Sequence, residues 1–418
     1  MSYFATQLVH GIPVNDNNTG AVNPPIYNSS TFAFESVESM PHWDYARSGN
    51  PTREFLERQV AQLEHGVRGF AFASGLAAIH AALSIFKPGE RIVVGDNIYG
   101  GTYSQVNEFF RRWGLQFTVV NTQDLDAVRE ALAQPDAKAL YFETLTNPLL
   151  KVNDVEALSR LAHEAGAISI VDNTFVSPYL QNPLDLGADI VLHSATKYLA
   201  GHSDVIAGVA VTGREDLANR LYYAQNRLGG VLPPQESDAV RRGIQTLALR
   251  IDRQQDNAQK IAEHLQSHPG VTAVHYPGLA SDPGHELASR ELHGFGGVLS
   301  FEVDESLIDP VVVLNAFRLF RLAVSLGAVE SLAELPSRMT HFELPRAERL
   351  KVGITDGLIR LSIGIEDVRD LIADLDRALA AGAAGRGEDV AGELEGLPAK
   401  LGVPIVGDAE PVRVPVAG

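Results

Sequence analysis

Seven short apolar runs alternate with longer amphipathic stretches between residues 69 and 211, and this alternation constrains the fold more than any other feature of the chain. The runs are Gly69–Ala73, Arg91–Val94, Phe117–Val120, Ala139–Phe142, Ile168–Val171, Ile190–Leu192 and Val205–Val211. Unbroken apolar runs of this length are how strands buried on both faces are written, whereas half-exposed strands alternate apolar with polar residues. The order therefore predicts an α/β fold, a largely parallel sheet wrapped by helices.

Ligands of open α/β sheets gather outside the carboxyl ends of the strands, so polar residues that follow the runs are the candidates for chemistry. Ser194-Ala195-Thr196-Lys197 follows the sixth run. An ammonium there is costly unless paired or neutral, and a neutral amine can attack an aldehyde such as that of pyridoxal phosphate. Ser194 and Thr196 flank it with hydroxyls suited to a phosphate; the structural alternative is a solvated loop lysine. Asp172 ends the fifth run, where a carboxylate could keep a pyridine nitrogen protonated, or could cap the turn with Asn173 and Thr174.

Three further motifs fall at the same edge. Ser74-Gly75-Leu76 opens a helix after the first run; its free N–H groups suit a phosphate, and Ser74 alone would serve as an ordinary N-cap. Tyr99, in Asp96–Thr102 after the second run, could stack on a flat cofactor or pack on the surface. Glu143–Pro148, which contains Asn147, offers an amide and a carboxylate or forms a proline-terminated turn.

Outside this region the pattern changes. Residues 1–50 lack sustained periodicity and read as an extended arm, with 51–250 as the large domain. A helix is expected near 236–267, and then a smaller α+β domain, 251–381, with strands at Val271–Val274, Val298–Val303 and Leu358–Ile363. Its closing helix puts Val368, Leu371, Ile372, Leu375 and Leu379 on one face, behind Glu366 and Asp367. Arg360 lies on one of these apolar strands, where a guanidinium needs an anion: a substrate carboxylate or a structural salt bridge. Residues 382–418, dominated by glycine, proline and scattered charge, read as a mobile tail.

Composition removes several function classes. A net charge of -18 argues against nucleic acid or an anionic membrane surface as partner. With no cysteine there is no disulfide, thiolate metal site or cysteine nucleophile. The thirteen histidines show no ligand spacing, and no metal is expected. No apolar run is long enough to span a membrane and no leader is evident, so cytoplasmic residence is expected.

Seven ordered motifs resemble the Cys/Met metabolism family of pyridoxal-phosphate enzymes, fold type I, and within it the cystathionine γ-lyase and γ-synthase group. They are Tyr45–Arg53, Ser74–Ala78, Tyr99–Thr102, Asp172–Phe175, Ser194–Tyr198, Ser325–Ser331 and Arg360–Glu366, within a match from Thr6 to Ala381. The resemblance implies that Lys197 holds pyridoxal 5'-phosphate, Asp172 pairs with its ring nitrogen and Tyr99 stacks on the ring. Gly75, Leu76, Ser194 and Thr196, with Ser74, would hold the phosphate. Tyr45 and Arg47 would reach the phosphate of a neighbouring subunit, which makes a dimer the smallest active unit and a dimer of dimers the expected assembly. Arg360, with Ser325 and Asn147, would take the α-carboxylate of a small amino-acid substrate.

The resemblance further implies cleavage of the Cγ–S bond of cystathionine, Lys197 moving protons and Tyr99 serving the departing thiol. Methionine γ-lyases carry cysteine where this chain has Gly101. Glu330 and the run Ser331–Pro336 look most like γ-lyases and bacterial γ-synthases, γ-lyase slightly ahead; β-lyase remains a third reading. Glu236–Ala239 departs from the more apolar run usual in relatives, which touches local packing. A dehydrogenase lacks its Gly-x-Gly-x-x-Gly, and a cofactor-free aldolase would not need Asp172. A non-catalytic protein on the same fold is the reading from a different class.

Overall fold

The structure, a computed structural model, describes residues 3–384 apart from 15, 17, 343 and 344. All seven apolar runs are strands of one sheet: β1 Arg68–Phe72, β2 Arg91–Gly95, β3 Gln116–Val120, β4 Ala137–Glu143, β5 Ile168–Asp172, β6 Ile190–His193 and β7 Gly208–Thr212. Their spatial order is β1-β7-β6-β5-β4-β2-β3. Only β7 runs against the others, pairing antiparallel with both β1 and β6. Every residue of β6 and β7 is buried, as unbroken apolar runs require.

This topology brings the carboxyl ends of β1, β2, β4, β5 and β6 to one edge. Between β4 and β5 the register sets Glu143 opposite Asp172, and between β5 and β6 it sets Asp172 opposite Leu192. Two residues past Leu192 the chain leaves the sheet and turns into Ser194–Lys197. Each strand end is held by a capped helix. Ser74 Oγ accepts the Ala77 N–H at 3.0 Å at the head of helix Gly75–Ser84, and Asn50 caps Pro51–Leu63, which carries proline in its first turn.

A second sheet is built from β8 Val271–His275, β9 Val298–Val303, β10 Arg321–Leu322, β11 Leu332–Glu334 and β12 Leu358–Ser362, in the order β10-β11-β12-β9-β8. The closing helix, Val368–Ala384, packs on it with Leu371, Leu375 and Leu379 fully buried; such a side chain contributes roughly 2 kcal/mol of transfer free energy. Helix Leu247–Gln266 ties the layers: Gln254 Nε2 donates to the Ala328 carbonyl at 2.7 Å, and Asn257 Nδ2 to that of Gly364 at 3.1 Å.

Four expectations need correction. The arm is not wholly extended, because Phe4–His10 forms a helix that buries Leu8 against the first core. The helix near 236–267 is two, Pro234–Ile244 and Leu247–Gln266, broken where Thr246 leaves helical geometry. Gly243 lies at this break because a Cβ there would come within 2.2 Å of the Ala200 carbonyl oxygen. Glu366 does not serve its own helix; its carboxylate accepts the N–H and hydroxyl of Ser331 at 2.7 and 2.9 Å. The segment read as a tail from 382 begins inside the closing helix, which runs to Ala384, and residues 385–418 lie outside the described residues.

Candidate active site

Lys197 emerges from β6 with its amine turned toward the second sheet, where Nζ donates to Ser325 Oγ at 2.6 Å. Burial, and then the positive charge of Arg360, bring the amine down to about 8, while Glu334 pulls the other way. A neutral amine is therefore present in quantity near neutral pH, as a nucleophile at this position requires.

Asp172 is buried at the end of β5. Desolvation raises its carboxyl, opposed first by Thr174, whose hydroxyl and N–H donate to Oδ1 at 2.5 and 3.1 Å. The same Thr174 oxygen accepts the Ser194 N–H at 2.8 Å, so one hydroxyl fastens the Lys197 segment to Asp172. Tyr141 Oη donates to the other oxygen, Oδ2, at 3.3 Å. Glu143, opposite in the sheet, is pushed well up by burial and by the Asp172 charge, and its Oε1 accepts the Tyr99 N–H at 2.6 Å. Tyr99 itself is 49% exposed, with its ring edge over Gly101: a Cβ at 101 would fall 2.6 Å from Tyr99 Cε1 and 3.1 Å from the Leu76 methyls.

The phosphate candidates converge. Ser74 does act as an N-cap, and among the described residues no hydrogen bond engages the N–H groups of Gly75 and Leu76 in the first turn of its ten-residue helix. A Cβ on Gly75 would lie 2.9 Å from Ser194 Cβ, so only glycine lets the two segments meet. Thr196 Oγ1 exchanges bonds with Ala207, donating to its carbonyl at 3.2 Å and accepting its N–H at 2.9 Å. Tyr45 and Arg47 stand apart. Arg47 donates to the Asn226 carbonyl at 3.2 Å and lies 5.6 Å over the Tyr45 ring, and no hydrogen bond or ring contact joins either to Lys197.

Arg360, on β12, is a buried guanidinium with three partners. Nη1 donates to Asn147 Oδ1 at 2.9 Å, Nη2 donates to the Ser325 carbonyl at 2.6 Å, and Nη1 lies 2.9 Å from Glu334 Oε1. The salt bridge weighed as the structural alternative is thus present, yet Arg360 Nε and Glu334 Oε2 are buried without any hydrogen-bond partner. Ser325, which serves both Lys197 and Arg360, has φ +93°, a conformation that costs a non-glycine residue about 1–3 kcal/mol and clusters at functional sites. Glu330 accepts from the Ser203 hydroxyl and, with Thr196, Val324 and Ser325, lines a cavity of ≈ 580 Å³.

These residues fit pyridoxal 5'-phosphate: a buried carboxylate short of a cation, a partly neutral amine, and unengaged helix N–H groups beside a glycine that nothing larger could replace. Residues 5–380 match the Cys/Met metabolism PLP-dependent enzyme family. The chain belongs to that family. Its cofactor is pyridoxal 5'-phosphate, and its members are lyases and transferases of the cystathionine group. Cystathionine β-lyase of Lactococcus lactis subsp. cremoris (strain MG1363) is 48% identical over 380 residues, covering 91% of this chain and 99% of that one. Cystathionine γ-lyase of Bacillus subtilis (strain 168) is 48% identical over 375 residues, 90% and 98% of the two chains. The solved structure of cystathionine γ-synthase from Xanthomonas oryzae pv. oryzae in complex with cystathionine superposes with a TM-score of 0.90 at 40% identity, covering 93% and 100%.

In this pyridoxal-phosphate enzyme, sequence reasoning missed Tyr141 and Glu334, and it noted Thr174 only as a turn residue. Tyr141 lies inside an apolar run, where a hydroxyl was the sole signal. Glu334 was visible as the one acid in Leu332–Pro336, but β11 is three residues long and its pairing with Arg360 appears only in the register. Among the described residues no group of acids and histidines could hold a metal ion, and no helix is long and apolar enough to cross a membrane.

Proposed function

We propose that the chain is a cystathionine γ-lyase, converting L-cystathionine and water to cysteine, 2-oxobutyrate and ammonia. One observation carries the reading: Ser325 joins the Lys197 amine to the Arg360 guanidinium, so a proton carrier and a carboxylate receptor share one residue. An α-amino acid whose carboxylate docks on Arg360, Asn147 and Ser325 presents its Cα to the lysine. The γ position is supported by the Glu330–Pro336 run and by the similarity to the Bacillus γ-lyase.

In this reading Lys197 attaches the cofactor and, once freed by the substrate amine, takes the Cα proton. Bound pyridoxal phosphate supplies the sink for the electron pair left behind. Asp172, held by Thr174 and Tyr141, keeps its negative charge toward the ring nitrogen, a cation that offsets the carboxylate's burial. Ser74, Gly75, Leu76, Ser194 and Thr196 receive the phosphate, with the Thr196 proton released from Ala207. Tyr99, positioned through its N–H by Glu143, donates to the departing sulfur, and Glu330 faces the distal end of the substrate. Tyr45 and Arg47 serve the phosphate of a second copy, within a dimer of dimers. Residues 1–50 act as the intersubunit arm, 51–250 as the cofactor domain and 251–381 as the substrate-closing domain. Cytoplasmic residence belongs to the same proposal, supported by the cysteine-free sequence.

The test is product analysis of the holoenzyme with cystathionine alone, and then with O-succinylhomoserine plus cysteine. Cysteine with 2-oxobutyrate is expected. Homocysteine with pyruvate would make it a β-lyase, and net cystathionine formation a γ-synthase.

A further inference from the structure

The two orphaned atoms beside Asn147 and Ser325 belong to an ion pair that is itself out of water: Arg360 is 3% exposed and Glu334 0%. In the register of β11 with β12 they are directly opposite. Glu334 Oε1 already receives the Thr340 hydroxyl at 3.0 Å and lies 2.9 Å from Arg360 Nη1, while Oε2 has nothing. The charged and titratable groups that face Glu334 are Arg360 from β12, Lys197 from the first sheet, and, across Thr340, His341 with Arg349 behind it. Burial, with Arg360 and Arg349, brings His341 down to about 4, so it is neutral at working pH and supplies no charge. Once Lys197 is bound to the cofactor, the guanidinium is the cation on which Glu334 depends.

An arriving carboxylate therefore meets a receptor whose charge is already balanced. Two carboxylates on one buried guanidinium leave an uncompensated negative charge, and like charges that share a dry site do not both remain ionised. Of the two, an amino acid's α-carboxyl is the weaker base by its ordinary value, about 3.5 against about 4.3 for glutamate. It also brings oxygens to the unpartnered Nε. Glu334 is left with the open oxygen.

We propose that Glu334 takes one proton from solvent as the substrate carboxylate docks on Arg360, so that carboxylate binding and neutralisation of Glu334 are one coupled event. The inference rests on Arg360 being the carboxylate receptor. Burial already raises the Glu334 carboxyl, with Arg360 opposing, which is the direction the coupling needs. Glu334 is a positioning residue here: it preforms the receptor in the free enzyme and is switched off by the ligand. By linkage, the affinity for carboxylates falls as pH rises, since each docking consumes a proton.

The experiment uses the pyridoxal-phosphate holoenzyme and butyrate, which has the carboxylate but no amine to displace Lys197. Proton uptake is counted by calorimetry in buffers of different ionisation enthalpy, and the chromophore absorbance reports any proton taken at the Lys197 nitrogen. The expected result is up to about one proton beyond the chromophore's share, and a butyrate dissociation constant that rises by up to about tenfold per pH unit on the alkaline side. In Glu334→Gln the excess uptake disappears and the constant becomes flat with pH. Wild-type enzyme with no excess uptake at any pH, or Glu334→Gln with the full excess, overturns the proposal. The wild-type count decides alone if the variant does not fold. Unchanged butyrate binding in Arg360→Lys would instead overturn the receptor assignment, a failure separate from that of Glu334.

Discussion

The amine of Lys197 donates to Ser325 Oγ at 2.6 Å, a bond that joins the end of a strand in the large sheet to the segment between β10 and β11 of the small one. Arg360 reaches the same residue, but through its carbonyl. Removing the hydroxyl thus disturbs the lysine and spares the arginine. A hydrogen bond to a charged group is worth about 1.5–3 kcal/mol, so Ser325→Ala should lower kcat about 10- to 100-fold with little change in KM. Ser325→Gly should share the kinetic defect yet be at least as stable as Ser325→Ala, because φ +93° suits glycine; steady-state kinetics and thermal melts check both.

Without cofactor, the lowered lysine is a stability statement. The folded chain holds the Lys197 proton down to about 8, while the unfolded chain holds it to the ordinary 10.5. Between those values the unfolded state binds more protons, so apoprotein stability rises with pH, and the penalty for burying the ammonium is complete below about 8. Lys197→Met apoprotein should unfold at higher urea than wild type at pH 7, with the difference shrinking toward pH 10.5.

Gly101 leaves room for the Tyr99 ring, and a single methyl closes that room. A Cβ placed 2.6 Å from Tyr99 Cε1 forces the ring to move. Gly101→Ala should cost about tenfold or more in kcat and shift the bound cofactor's absorbance, while Tyr99→Phe, which keeps the ring and loses the acid, should cost about 10²–10⁴-fold with the absorbance little changed.

Thr174 serves Asp172 and Ser194 with one hydroxyl. Thr174→Val keeps the shape and removes the bond at both ends, leaving a buried carboxylate and an N–H unsatisfied. A loss of about 1–3 kcal/mol in stability is expected, together with weaker cofactor binding. Urea unfolding and cofactor titration of the apoprotein measure the two effects separately.

The large sheet is legible in the sequence because strands buried on both faces are written as unbroken apolar runs, and all seven appear where such runs occur. Legibility fails where a strand is too short to show a period, as for Arg321–Leu322 and Leu332–Glu334. It fails again where tertiary contact overrides local pattern, as at Thr246, which breaks a helix whose spacing looks continuous. The site divides the same way. Lys197, Asp172 and Arg360 stand out because charged residues on apolar strands demand partners. The partners themselves, Tyr141, Thr174 and Glu334, are chosen by register between strands far apart in the chain, and no local spacing reveals them.

The account depends on Lys197 being the residue that holds the cofactor. Borohydride reduction of the holoenzyme, followed by peptide mapping, tests this directly. The predicted result is one pyridoxyl group per chain, on Lys197. A pyridoxyl group on any other lysine, or none after reduction of fully loaded enzyme, would contradict it.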